Sequence, residues 1–207
     1  MSLARWVEPW EALGLNPRME LQAELRHRYS EPHRAYHTLH HLAECLQLLE
    51  QVRGFNASSA ELELAIWFHD AVYNPRLSDN ELRSADWARR ELRRAGASVD
   101  LQDRVGALIM VTSHDGAPQT DDERLLSDID LAILGSGPTR FDEYERQVRS
   151  EYQHVPLRLY RAGRRKILLD FQARPHLYFT PDFRETREAT ARANLQRSIE
   201  RLSGKFW

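Results

Sequence analysis

The chain has 207 residues, with 29 Lys plus Arg against 31 Asp plus Glu and a formal net charge of −2. Balanced charge argues against a protein built to grip nucleic-acid backbones, which carries a basic excess. With 42% hydrophobic and 29% charged residues, the composition is neither that of a disordered chain nor that of a membrane protein.

Apolar runs such as 107–111 fall far short of a bilayer span. Arg5, Glu8 and Glu11 interrupt any signal-peptide pattern. The one cysteine, Cys45, has no internal disulfide partner and leaves zinc-finger-type thiolate clusters without ligands. The expectation is one cytoplasmic domain over 1–207 without nucleic-acid or membrane partners, its oligomeric state open.

Helical periodicity runs from end to end. It predicts helices over 4–14, 18–29, 36–53, 59–73, 79–95, 99–113, 121–134, 139–153, 156–173 and 182–203. Ser58 with Glu61, Ser78 with Glu81 and Thr120 with Glu123 read as capping boxes, and Thr180–Pro181 as an N-cap with proline at the first helical position. Breaks fall at Pro32, Gly54, Pro75, Gly96, 116–118, 135–138 and Pro175. No repeat or low-complexity linker divides the chain, so the fold class is an all-α, single-domain helical bundle.

Three of these segments set polar groups in apolar company. In the third helix His37 and His41 stand four apart, which puts them on one face with about 5–6 Å between Cβ atoms; His40 lies about 100° round from His41. Such a pair binds one metal, or one ring binds while the other meets a ligand; it equally suits a polar face rich in histidine. The fourth helix, 59–73, is apolar on several sides yet carries His69 beside Asp70. Burying an unpaired carboxylate costs several kcal/mol, so Asp70 needs a cation, a metal or a dense set of donors. In the seventh, Asp128 and Asp130 flank the apolar stripe on opposite sides, and helical phase does not choose between them. A helical core can converge such residues on one cation. Mixed nitrogen and oxygen ligands suit Mn, Fe, Zn, Co or Ni better than Ca, and better than Mg alone.

The ordered set resembles the HD superfamily of metal-dependent phosphohydrolases, named for its His-Asp dipeptide. Within it the chain is similar to a subfamily of predicted phosphohydrolases of about this length. The matching stretches are 29–41, 68–73, 80–85 and 128–135. A second His-Asp pair, His114–Asp115, sits against Gly116 at an expected helix end. The piece from Tyr36 to His41 is also similar to the opening motif of cyclic nucleotide phosphodiesterases, distant members of the superfamily, with Thr38 where that motif usually has Asn.

The resemblance implies hydrolysis of a phosphoester in a small phosphorylated metabolite or nucleotide, with a divalent metal (Mn, Fe, Zn, Co, Ni or Mg) held by His41, His69, Asp70 and Asp128. Asp128 is preferred because the small Ser127 precedes it; Asp130, His37 and His114 are the alternatives. His37 is the candidate proton donor, with Asp70 and Glu81 as candidate catalytic carboxylates. Arg34 and Tyr36 are the candidate substrate-binding residues, Arg34 through the planar fork that suits phosphate. Arg161, Arg164, Arg165 and Lys166 read either as a second phosphate-binding cluster or as a solvated helix face. Two further functions share this ligand set: oxygen chemistry at a di-iron centre, and a non-enzymatic module that binds metal or nucleotide.

Overall fold

The structure is a computed structural model that describes residues 5–53 and 60–204. The described residues form ten α-helices and no strand: α1 (Val7–Ala12), α2 (Met19–Arg28), α3 (Leu39–Arg53), α4 (Ala60–Phe68), α5 (Asn80–Arg94), α6 (Val99–Met110), α7 (Asp121–Asp130), α8 (Pro138–Glu151), α9 (Leu157–Ala173) and α10 (Pro181–Leu202). The fold class is all-α, as the periodicity predicts. Short 3-10 segments follow α6 at Val111–Ser113 and α7 at Leu131–Gly135. The chain divides into two compact units, Met1–Ile129 and Asp130–Trp207, the division falling at the last residue of α7.

In the first unit α4 is the axis. Leu62, Leu64, Ala65, Ile66, Trp67 and Phe68 are all buried, so the helix is covered on every side, as its unbroken apolar run requires. α1, α3, α5 and α6 pack on it. Trp67 meets Trp6 edge-on at 5.1 Å between ring centroids, and Phe68 meets Trp87 at 5.9 Å. Aromatic pairs in this geometry add to the plain burial of their surface. Thr120 and Glu123 form the reciprocal capping box that their spacing predicts: the Glu123 amide donates to Thr120 Oγ1 at 3.2 Å and the Thr120 amide to Glu123 Oε2 at 3.3 Å. The box expected from Ser58 lies outside the described residues. The one expected from Ser78 does not form, because α5 starts at Asn80 with Asp79 as N-cap and no side-chain cap bond.

The second unit is built on α8, α9 and α10. Asn194, buried on α10, donates to the carbonyls of Leu134 and Ser136, both at 2.8 Å, and Tyr178 Oη donates to Leu131 O at 3.1 Å. These bonds tie the 3-10 segment 131–135 and the following Ser136 to α10 and to Tyr178. A Cβ on Gly135 would lie 2.6 Å from Arg187 Cβ, so glycine there lets α10 approach. The basic run on α9 is resolved in part: Arg164 is buried, paired with Glu145 at 2.5 Å and bonded to Tyr144 Oη at 2.7 Å. Arg165 bonds Ser203, and Lys166 lies 3.8 Å from Asp170 on the surface.

Candidate metal centre

The two segments that carry the histidines differ from the predicted helices in a way that builds the site. α3 begins at Leu39, so His37 sits in the turn before it, while His41 is in its first turn. α4 ends at Phe68, five residues before the predicted end, so His69 and Asp70 occupy a turn at its C-terminus. His69 itself helps to end the helix: its Nδ1 lies 2.8 Å from the carbonyl of Ile66, three residues back. A carbonyl only accepts, so Nδ1 carries a proton and Nε2 is the nitrogen left to face the cluster.

That nitrogen faces two other ligand atoms. His69 Nε2 is 3.2 Å from His41 Nε2 and 3.0 Å from Asp70 Oδ2, and His41 Nε2 is 3.5 Å from the same oxygen. His41 and His69 are buried, and Asp70 Oδ2 is a buried oxygen without a hydrogen-bond partner. Two ring nitrogens and a carboxylate oxygen this close, inside a protein, form a donor set that suits a shared cation. Their separations are those of atoms each about 2.0–2.2 Å from a common divalent ion, and the residues fit such an ion on that ground. Burial by itself pushes the Asp70 carboxyl up, but His69, His37 and His41 around it hold the group below the usual carboxylate range.

Within the first unit, His41, Cys45 and His69 bring one ligand atom each within 4.8 Å of one another and could hold a metal ion. Asp128, the carboxylate that the preceding Ser127 favours, is not in this set; it is fully buried on α7, whose last residue is Asp130. Cys45, considered in the sequence only as a disulfide and zinc-finger residue, stands in the set with its sulfur 3.7 Å from His41 Nδ1. The signal for it was present: His41 and Cys45 are i and i+4 on α3, the spacing that brings two side chains together.

The other predicted residues are placed as follows. His37 is half-buried, its ring stacked on Tyr73 at 4.2 Å and 6.0 Å from the His41 ring. The Tyr36 ring, buried, packs 4.7 Å from that of His41. Glu81 is in the first turn of α5, partly exposed. His114 follows the 3-10 turn at φ 57°, with Nδ1 3.5 Å from Ser127 Oγ. Arg34 does not display its fork to an external phosphate. Its guanidinium is fully buried and donates to Glu31 Oε2 at 3.2 Å and to the carbonyls of His37 (3.1 Å), Asp70 (2.7 Å) and Ala71 (3.2 Å).

Two more tethers fix the turn that holds Asp70. The Asp70 amide donates to Tyr29 Oη at 3.3 Å, and that hydroxyl donates on to Trp67 O at 3.3 Å. Burial pushes the Tyr29 hydroxyl pKa well up, which keeps it a donor. Downstream, Ser84 Oγ accepts from the Val72 amide at 3.1 Å, and the Asn80 carboxamide both accepts from the Asn74 amide and donates to its carbonyl, each at 3.0 Å. Asn80 and Ser84 therefore sew the loop after Asp70 onto the first turns of α5.

No family model, no curated protein and no solved structure matches this chain.

Proposed function

We propose that the protein is a metal-dependent phosphohydrolase acting on a small phosphorylated metabolite or nucleotide. One observation carries the reading: two buried imidazoles and a carboxylate oxygen, from the first turn of α3 and the turn that ends α4, converge within 3.5 Å. Together with the order of these residues along the chain, this is the arrangement that a phosphohydrolase of the HD type would need.

His41, His69 and Asp70 would hold a divalent ion, with Cys45 close by. Such an ion lowers the pKa of a bound water toward neutrality and polarises a phosphoryl oxygen. Asp70 would orient the attacking water beside that ion. His37, outside the ligand cluster and partly open to solvent, gives a proton to the leaving oxygen. Glu81, on the first turn of α5, takes up the proton that the water sheds. The tether network of Tyr29, Asn80 and Ser84 keeps Asp70 in place while this happens.

The test is a screen of the purified, metal-loaded chain against phosphomonoesters, nucleotides and cyclic nucleotides, read as phosphoester cleavage beside Asp70→Ala. Turnover in the wild type that the variant lacks supports the reading. A fully loaded protein that cleaves none of them overturns it.

A further inference from the structure

We propose that Arg34 is the positioning residue of this centre: it holds the Asp70 carboxylate against the histidine pair by clamping together the two irregular turns that carry His37 and Asp70. The inference rests on the metal-centre reading above.

Neither turn is held by helix. Residues 29–38 connect α2 to α3, and residues 69–79 connect α4 to α5, so the distance between the start of α3 and the end of α4 is not set by either helical ladder. Arg34 spans that gap with a single rigid group. One terminal nitrogen donates both to His37 O, two residues before α3, and to Asp70 O; the other donates to Ala71 O. Nε is spent on Glu31, in the same turn as Arg34 itself, whose backbone closes by a bond from the Arg34 amide to Glu31 O at 3.1 Å. The guanidinium plane lies between two rings, 5.3 Å from the centroid of Tyr29 and 5.4 Å from that of Tyr73.

Each of these contacts meets the site from a different side. Tyr29 also receives the Asp70 amide, and Tyr73 also stacks on His37. The fork therefore fixes both the backbone of the ligand Asp70 and the ring on which the proton donor rests. Only a planar group with several donors in fixed directions can reach His37, Asp70 and Ala71 at once. A lysine in its place keeps the charge and loses the geometry. Residues that orient ligands in this way typically account for about 10- to 100-fold in metal affinity.

The experiment titrates Co(II) into the full chain and reads its visible absorption, for wild type, Arg34→Lys and Leu92→Ala. The last is a core substitution on α5 that destabilises the first unit without touching the clamp. We expect Arg34→Lys to weaken Co(II) binding about 10- to 100-fold while Leu92→Ala binds as wild type. Equal affinity in wild type and Arg34→Lys overturns the clamp. If wild type takes up no Co(II), Mn(II) or Zn(II), the metal reading falls, and metal-free crystal structures then decide the clamp alone. A His41–Asp70 separation that opens in Arg34→Lys upholds it; one that stays at 3.5 Å overturns it.

Discussion

The carbonyl of Ile66 takes the Nδ1 proton of His69 at 2.8 Å, and through that one bond the end of a buried helix decides which nitrogen of the ring faces the cluster. A histidine three residues beyond a free helical carbonyl satisfies one of the orphan acceptors that every helix C-terminus leaves. The same bond turns Nε2 toward His41 and Asp70. Helix termination and ligand orientation are one event here.

Elemental analysis of unchelated protein tests this directly. About one or two equivalents of a transition metal are expected in wild type, and a loss in both His69→Ala and Asp70→Ala. Wild-type content in the two variants would remove the centre from consideration.

His37→Ala separates proton donation from ligation. Because His37 lies in the turn before α3 and outside the set that shares 4.8 Å contacts, the variant is expected to keep its metal. Its turnover should fall about 10²- to 10⁴-fold, the usual worth of a general acid. A parallel fall in metal content would make His37 a ligand instead.

Cys45 is tested by spectrum. Co(II) bound near a thiolate shows an intense near-ultraviolet charge-transfer band that nitrogen and oxygen ligands do not give. We expect that band in wild type and its loss in Cys45→Ser, with the weaker visible bands retained. A band that survives in Cys45→Ser would remove the thiol from the set.

Glu63 predicts a pH dependence remote from the centre. It sits on α4 with its carboxyl pushed up to about 7 by burial, helped by Glu8 and Glu50 and opposed by Arg5. A folded-state value above the unfolded one means that the folded chain binds more protons between about 4.5 and 7, so stability falls as pH rises through that window. Glu63→Gln, which stays neutral, should raise the melting temperature at pH 8 and leave it nearly unchanged at pH 4.5. An equal effect at both values would show that charge is not the cause.

Two glycines should respond in opposite directions. Gly135→Ala drives a methyl to within 2.9 Å of Arg187 O and Tyr178 Oη and should cost about 1–3 kcal/mol by overpacking. Gly163, inside α9 with open space around it, should gain about 0.5–1 kcal/mol on substitution by alanine. Urea unfolding of the two variants measures both; a matching sign would refute the packing difference.

Much of this was legible in the residues, for identifiable reasons. The apolar run of α4 required burial on all sides, and it is buried. The Thr120 box and the Pro181 helix start follow from local chemistry alone and form where the sequence puts them. The two segments that meet at the centre, 37–41 and 69–70, were also visible, as polar groups that an apolar setting could not otherwise accommodate. What periodicity does not carry is where a helix yields to a competing bond. It runs α4 on to residue 73, because nothing in the spacing shows His69 capping Ile66. It starts α3 at 36, because the clamp that holds residues 34–38 out of the helix comes from carbonyls more than thirty residues away in the chain. Arg34 looked like a free phosphate fork for the same reason: its partners are backbone atoms, which leave no trace in a residue pattern.

The single thiol has a use that its place beside His41 makes available. Cys45 is 2% exposed, so a disulfide reagent in solution reaches it only when α3 parts from its neighbours. With no second cysteine in the chain, the rate of reagent uptake counts those partings one molecule at a time. Measured with and without added metal, it becomes a clock on how often the core around the ligands opens, and on how far a bound ion slows it.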